Sequence, residues 1–259
     1  MNNKFLRLLE DSYESYYWIG FILADAGFHR RRNNIDFTIQ LSVLDLEHLK
    51  KIAKFLNIDN IKYRKDRKQV YISGQNKIII SKFIEKFGLI LPKTYNCPDI
   101  KINNKELLIC LLIGFIDGDG CITNNSKSKK SVEIGIKLHP NWINFLKIYT
   151  ELCPHGKISE GTGGYENKQK YPRFRLTYYP EIVWLKNKAI EYNLPILNRK
   201  WSKIDNNHKT YQEKSKSDIE KIKKLYSEGY KQSEIIKMTG FSQPKVSRAC
   251  SKQKGDEIS

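Results

Sequence analysis

The hydrophobic positions of this chain change period several times, and the same succession of changes occurs twice. From Asp36, "DFTIQLS" sets Phe37, Ile39 and Leu41 between polar residues, a period of two that predicts a strand with one buried face. Leu46, Leu49, Ile52 and Ala53 follow at helical spacing. The stretch Asp36–Leu56 aligns without a gap on Glu133–Cys153, where Ile134, Ile136 and Leu138 alternate before Ile143, Leu146, Tyr149 and Thr150 take helical spacing. Basic strand-like segments come next in each copy, "IKYRKDRKQVYISG" and "YPRFRLTYY". Each copy closes with an amphipathic helix running into Leu-Pro, "KIIISKFIEKFGLILPK" and "EIVWLKNKAIEYNLPILNRK".

This repetition divides the chain into a first repeat at 1–102, a second at 103–204, a polar linker at 205–215 and a C-terminal segment at 216–259. Two related units in one chain predict an internal version of a symmetric dimer, hence a monomer acting as a pseudo-dimer. The C-terminal segment reads as three short helices: Ile219, Ile222 and Leu225 share one face, and Ile235, Ile236 and Met238 follow. "TGFS" supplies a glycine turn before a basic helix over Gln243–Cys250.

Each repeat opens with an apolar run ending in an acid, "GFILADAGF" (Gly20–Phe28) and "GFIDGDGCI" (Gly114–Ile122). The acids Asp25 and Asp119 stand 119 − 25 = 94 residues apart. Asp11-x-x-Glu14 and Asn103-x-x-Glu106 have the form of capping boxes at the two helix starts. Gly20 and Ala24 are four apart, as are Gly114 and Gly118, so each helix presents small residues on one face and the two backbones can approach closely. Packing on those faces would bring Asp25 and Asp119 together. Acids at helix C-termini oppose the macrodipole, and two facing carboxylates repel unless a divalent cation lies between them.

Composition narrows the partner. The chain has 259 residues, enough for a sizeable core, with 40% hydrophobic and 29% charged residues. Against 28 acids stand 46 Lys and Arg, a net charge of +18, which favours a polyanion such as nucleic acid. Lysine dominates and Ile and Asn are abundant, as in proteins of AT-rich genomes such as those of phages, viruses or organelles. The five cysteines include no C-x-x-C pair, which argues against a disulfide framework or a zinc site. "MNNKFLRLLEDSYES" lacks the apolar centre of a signal peptide, and the apolar run Leu107–Ile116 is ten residues, half the length a membrane span needs. The expectation is an intracellular protein with no membrane partner.

"WIGFILADA" (Trp18–Ala26) and "LIGFIDGDG" (Leu112–Gly120), in combination with the repeat, resemble the paired signature motifs of the single-chain LAGLIDADG homing endonucleases. The first motif departs from the pattern, with Leu23 where an acid is usual and Ala26 where glycine is usual. The resemblance implies an α+β fold: two pseudo-symmetric αββαββα repeats with antiparallel DNA-binding sheets, joined here to a small all-α helix-turn-helix domain. It implies a sequence-specific endonuclease that hydrolyses phosphodiester bonds of a long double-stranded DNA target with a divalent metal. Alternatives on the same scaffold are an RNA-binding intron maturase and a non-catalytic DNA-binding regulator. Asp25 and Asp119 match the family's metal-binding acids, with the carbonyls of Ala24 and Gly118 as supplementary ligands. Hard oxygen ligands favour Mg²⁺, with Mn²⁺ as a substitute. Lys93 and Lys200 match positions that polarise the phosphate or the water, and Gln40 and Lys137 occupy equivalent strand positions, expected either near the scissile phosphates or reading base edges. Groove contacts are expected from the strands at Lys62–Ser73 and Lys168–Tyr178, including Arg64, Arg67, Gln69, Arg173 and Arg175, and from Arg30, Arg31 and Arg32. In the helix-turn-helix, Ser242, Gln243, Lys245 and Arg248 are the expected DNA contacts.

Overall fold

The computed structural model describes residues 5–32, 34–124, 132–161, 170–205 and 211–256. It divides into two compact units, Met1–Asp205 and Asn206–Ser259.

In the larger unit the succession α1 (Tyr13–Asp25), β1 (Ala26–Arg31), β2 (Asn34–Ser42), α2 (Leu46–Phe55), β3 (Lys62–Arg64), β4 (Gln69–Gln75), α3 (Lys77–Lys86) is one αββαββα copy. The second is α4 (Lys105–Gly118), β5 (Cys121–Asn124), β6 (Val132–Lys137), α5 (Ile143–Leu152), β7 (Lys157–Glu160), β8 (Pro172–Leu176), α6 (Tyr179–Glu191), followed by the short α7 (Asn198–Trp201). Each copy builds a four-stranded sheet, in the orders β1-β2-β4-β3 and β5-β6-β8-β7, with every pairing antiparallel. One face of each sheet is apolar and buried: Phe37, Ile39, Val70 and Ile72 in the first, Ile134, Ile136, Phe174 and Leu176 in the second. The alternate positions face outward, as a period of two requires.

The helices α1 and α4 are apolar almost all round because they lie in the core, buried from Ser15 to Ala24 and over most of Leu107–Asp117. They pack directly on each other. A β-carbon on Gly20 would sit 1.9 Å from the carbonyl oxygen of Leu111, and one on Gly114 would sit 1.9 Å from that of Tyr17. Glycine is required at both positions for the backbones to touch. The caps lie one residue beyond those expected: Ser12 accepts from the Ser15 amide, and Asn104 accepts from the amides of Glu106 and Leu107. Asp11 is drawn away from capping by the Tyr16 hydroxyl and the Lys86 ammonium.

The smaller unit holds α8 (Tyr211–Ser227), α9 (Gln232–Thr239) and α10 (Gln243–Asp256). Residues 206–210 of the expected linker lie outside the described residues, and α8 begins inside its remainder. Ile222, Ile235, Val246, Ala249 and Cys250 form its core, while Met238 is exposed rather than packed with Ile235. Gly240 ends α9 at φ 69°, a left-handed cap that suits glycine. No helix among the described residues is long and apolar enough to cross a membrane.

Candidate active site and nucleic-acid interface

The glycine contact brings the ends of α1 and α4 together. A β-carbon on Gly118 would lie 2.3 Å from the Ala24 β-carbon and 3.5 Å from Asp25 Oδ2, so the two acid-bearing termini abut. Burial, and then the charge of Asp119, push the Asp25 carboxyl up to about 6. Burial likewise raises Asp119, opposed by the ammonium groups of Lys93 and Lys200. Burial lowers both lysines, opposed at Lys93 by Asp119 and Asp25 and at Lys200 by Asp117 and then Asp25. Two acids and two lysines thus form one electrostatic cluster where the sequence places the catalytic chemistry.

The lysines also cap the helices. Lys93 Nζ donates to the carbonyls of Leu23 (2.7 Å) and Ala24 (2.6 Å). Lys200 Nζ lies within bonding distance of the carbonyls of Ile116, Asp117, Gly118 and Gly120, at 2.6–3.1 Å. The Ala24 and Gly118 carbonyls therefore each carry an ammonium hydrogen bond, with a second lone pair left on each oxygen. The two lysines are not equivalent: Lys200 is buried, while Lys93 lines a cavity of about 570 Å³ together with Asp119, Lys137, His139, Trp142 and Tyr171.

Each lysine segment is held by the other repeat. Trp142 Nε1 donates to the carbonyls of Lys93 and Thr94, both at 3.2 Å. Arg199, beside Lys200, forms a two-pronged pair with the buried Asp45 at 2.5 and 2.6 Å. Asp45 and Trp142 occupy equivalent positions, since 142 − 45 = 97 is the offset between Asp36 and Glu133 in the gapless alignment. That offset is the one sequence signal for their shared duty, and the unlike chemistry of Asp and Trp hides it.

Asp117, the first acid of the second motif, is fully enclosed. It accepts from the Tyr17 hydroxyl (2.7 Å), Trp201 Nε1 (2.7 Å) and the Leu197 amide (2.8 Å), which ties α4 to the segment carrying Lys200.

Outside the cluster, the outward faces of the sheets carry most of the expected groove residues. Gln40 Nε2 donates to Gln69 Oε1 at 2.7 Å, and Arg64 lies over the Tyr71 ring at 4.9 Å. Lys137 lies over the Tyr171 ring at 5.5 Å. Arg173 and Arg175 both bond Glu133, a residue the sequence reading passed over. Arg67 sits in the turn between β3 and β4, exposed beside Asp66. Arg30 pairs with Ile35 near the end of β1 and is exposed there. Arg31 pairs with Asn34 at the end of β1, and Arg32 lies in the following turn. Residues 168 and 169 of the expected second contact strand lie outside the described residues. In the smaller unit Ser242, Gln243 and Arg248 are exposed. Lys245 is partly exposed, bonded to Asp218 at 2.6 Å and lying over the Phe241 ring.

No protein-family model matches the sequence, and no curated protein matches it. Solved structures do. The LAGLIDADG homing endonuclease I-GzeII in complex with a DNA target matches at TM-score 0.52 and 15% identity, over 86% of this chain and 95% of that one. The chain has the fold of the LAGLIDADG homing endonucleases. I-LtrWI of the same family, bound to target DNA, matches at TM-score 0.50 and 17% identity, over 87% of this chain and 96% of that one. The meganuclease I-SmaMI, bound to an uncleaved DNA target in the presence of calcium ions, matches at TM-score 0.50 and 15% identity, over 87% and 97% of the two chains. At these identities the LAGLIDADG likeness concerns the arrangement of helices and sheets, and the side-chain chemistry rests on this chain's own residues.

Proposed function

We propose that this chain is a sequence-specific endonuclease of double-stranded DNA that uses a divalent metal. The observation that carries the reading is the pair Asp25 and Asp119 at abutting helix ends, each carboxyl held above its usual range. Burying two acids side by side is unfavourable, and their persistence points to a cation that relieves the repulsion. Among the described residues no group of three or more His, Cys, Asp or Glu converges. A set of two carboxylates, completed by backbone oxygens, water and a phosphate, suits Mg²⁺, which binds in this way at phosphate-transfer sites.

Asp25 and Asp119 would hold the metal, with the free lone pairs of the Ala24 and Gly118 carbonyls beside them. When bound, the metal polarises a phosphoryl oxygen and lowers the pKa of a water. Lys93, on the wall of the cavity that Asp119 also lines, places an ammonium where the negative charge of a phosphate group would gather. Lys200 is too enclosed by carbonyls to leave its place, so its charge acts on Asp25 without contacting the DNA. The outward sheet faces supply polar and basic groove contacts. In the smaller unit, α9, the turn at Gly240 and α10 serve as a helix-turn-helix, with Ser242, Gln243 and Arg248 exposed for DNA.

The test is direct. A duplex selected for tight binding from a randomised library is incubated with the protein and Mg²⁺, and with EDTA. The wild-type chain should cut both strands only with Mg²⁺. Asp119→Asn should lower the rate at least a hundredfold, a loss in the range seen when a transition-state electrostatic group is removed, while binding is retained. Wild-type cleavage by Asp119→Asn would sink the assignment.

A further inference from the structure

Among the described residues, the outward face of the second sheet holds one acid among its bases. Glu133 on β6 is only 6% exposed, although it lies on the face away from the core. Two arginines of β8 close over it: Arg173 Nη2 donates to Oε1 at 2.7 Å and Arg175 Nη2 to Oε2 at 2.6 Å. The arginine side chains remain 40% and 48% exposed, so each fork keeps N–H groups for another acceptor. Gly135 makes room for this arrangement, because a β-carbon there would lie 3.2 Å from Arg173 Nη2. One carboxylate thus fixes two guanidinium planes side by side, lowering the conformational freedom they would lose on binding.

The first sheet has different chemistry at its corresponding places. Asp36, equivalent to Glu133, is engaged by the Gln75 amide, and Tyr71 and Ser73 stand where the second sheet has Arg173 and Arg175, while further along the Gln40 and Gln69 amides bond each other. Arginine forks match the O6 and N7 acceptors of guanine, whereas glutamine amides match adenine.

We infer that the Arg173–Glu133–Arg175 cluster reads guanine, so the half of the target facing the second repeat is recognised through guanine at this step, where the first repeat has no matching arginine pair. The inference rests on the DNA-endonuclease reading. In it the arginines are specificity residues and Glu133 is a positioning residue. Glu133 also lowers the local positive charge, which a site evolved only to hold phosphates has no use for.

Selection of binders from a randomised duplex library by the full chain, in metal-free buffer, tests it. Guanine should be enriched at one step in one half of the selected site. Replacing that guanine by adenine should weaken binding about five- to a hundredfold, as for a good bidentate contact. Glu133→Gln should bind unrelated duplex more tightly, since it removes a negative charge, yet discriminate guanine from adenine less than about threefold. Arg175→Lys keeps the charge and loses the fork, so it should lose discrimination while the salt dependence of binding stays unchanged. Selected sites without a guanine preference, or full discrimination by both variants, would overturn the inference and leave the arginines as phosphate contacts. A chain that retains no duplex at all would overturn the proposed function and this inference with it.

Discussion

At position 23 the first motif carries leucine where the second carries Asp117, and the surroundings account for it. Asp117 is tolerated because Tyr17, Trp201 and the Leu197 amide donate to it. The position matching Trp201 in the first repeat is Thr94, since 201 − 94 = 107 = 200 − 93, so that partner is missing beside Leu23. Leu23 is 1% exposed. Leu23→Asp, which restores the motif on paper, should therefore destabilise the protein by about 3–5 kcal/mol, the usual effect of an uncompensated buried charge. At 2–4 °C per kcal/mol this is a fall in Tm of roughly 10 °C; an unchanged or higher Tm would refute the argument. The departure from the motif is legible in the sequence, but its cause is not, because it depends on a side chain far along the chain. His48 was likewise unreadable, a histidine in a helix that turns out to be buried, with Nδ1 lacking a hydrogen-bond partner and Tyr17 near Nε2. Burial, then Lys51, with Lys200 and Arg199, lower it to about 3, against the opposing charge of Asp45. The unfolded chain thus binds this proton more tightly than the native one. Stability from His48 is fully present above its ordinary value of 6.5 and is lost as pH falls toward 3. Asp25 and Asp117, with raised values, act in the opposite direction. His48→Gln removes the histidine contribution alone, so its Tm should fall less between pH 7 and pH 5 than that of the wild type. Parallel Tm curves would show that His48 does not govern this range.

At the scale of elements, what the sequence reveals is what is local. The strands follow from alternation, and the contact of α1 with α4 follows from small residues four apart, both readable in a short window. The start of α1 is displaced by one residue because a distant lysine, Lys86, competes for Asp11. The pairs that hold the lysine segments, Trp142 with Lys93 and Asp45 with Arg199, join different repeats, and no window of sequence contains them. The glycine contact has a sharp consequence. Gly114→Ala places a β-carbon 1.9 Å from the Tyr17 carbonyl oxygen, a backbone atom that can yield only if the whole helix moves. The loss should exceed the roughly 1–3 kcal/mol of ordinary overpacking, and cleavage should fall with it, because the same contact sets the spacing of Asp25 and Asp119. Thermal melts and cleavage rates measured together check this. A stable Gly114→Ala protein with full activity would mean that the helix spacing does not set the geometry of the acids.

At the scale of the whole molecule, the proposed function divides the work between the two compact units in a way that can be separated. The larger unit has its own core and contains both acids, both lysines and both sheets, while the smaller has a separate core of Ile222, Ile235, Val246, Ala249 and Cys250. From Asn206 to Ser259 there are 12 Lys and Arg against 7 Asp and Glu, a net 12 − 7 = +5 of the chain's +18, in a stretch that holds no member of the acid–lysine cluster. On the proposed reading, such a segment would add affinity through effective concentration and leave the chemistry alone. A chain ending at Asp205 should therefore still cut its target at saturating concentration and low salt, at close to the full-length rate. Its affinity should be weaker, by roughly tenfold or more, as for a tethered second binder removed. Its binding should also depend less steeply on salt, because fewer counterions are released from the DNA. Footprints of the two forms should differ at one flank of the target, where the smaller unit contacts it. Arg248→Ala in the full chain should lower affinity and salt slope in the same direction but by less, since it removes a single phosphate or base contact. If truncation left affinity, salt slope and footprint unchanged, the basic helix α10 would not be a DNA reader, and its exposed Ser242, Gln243 and Arg248 would face a protein partner instead.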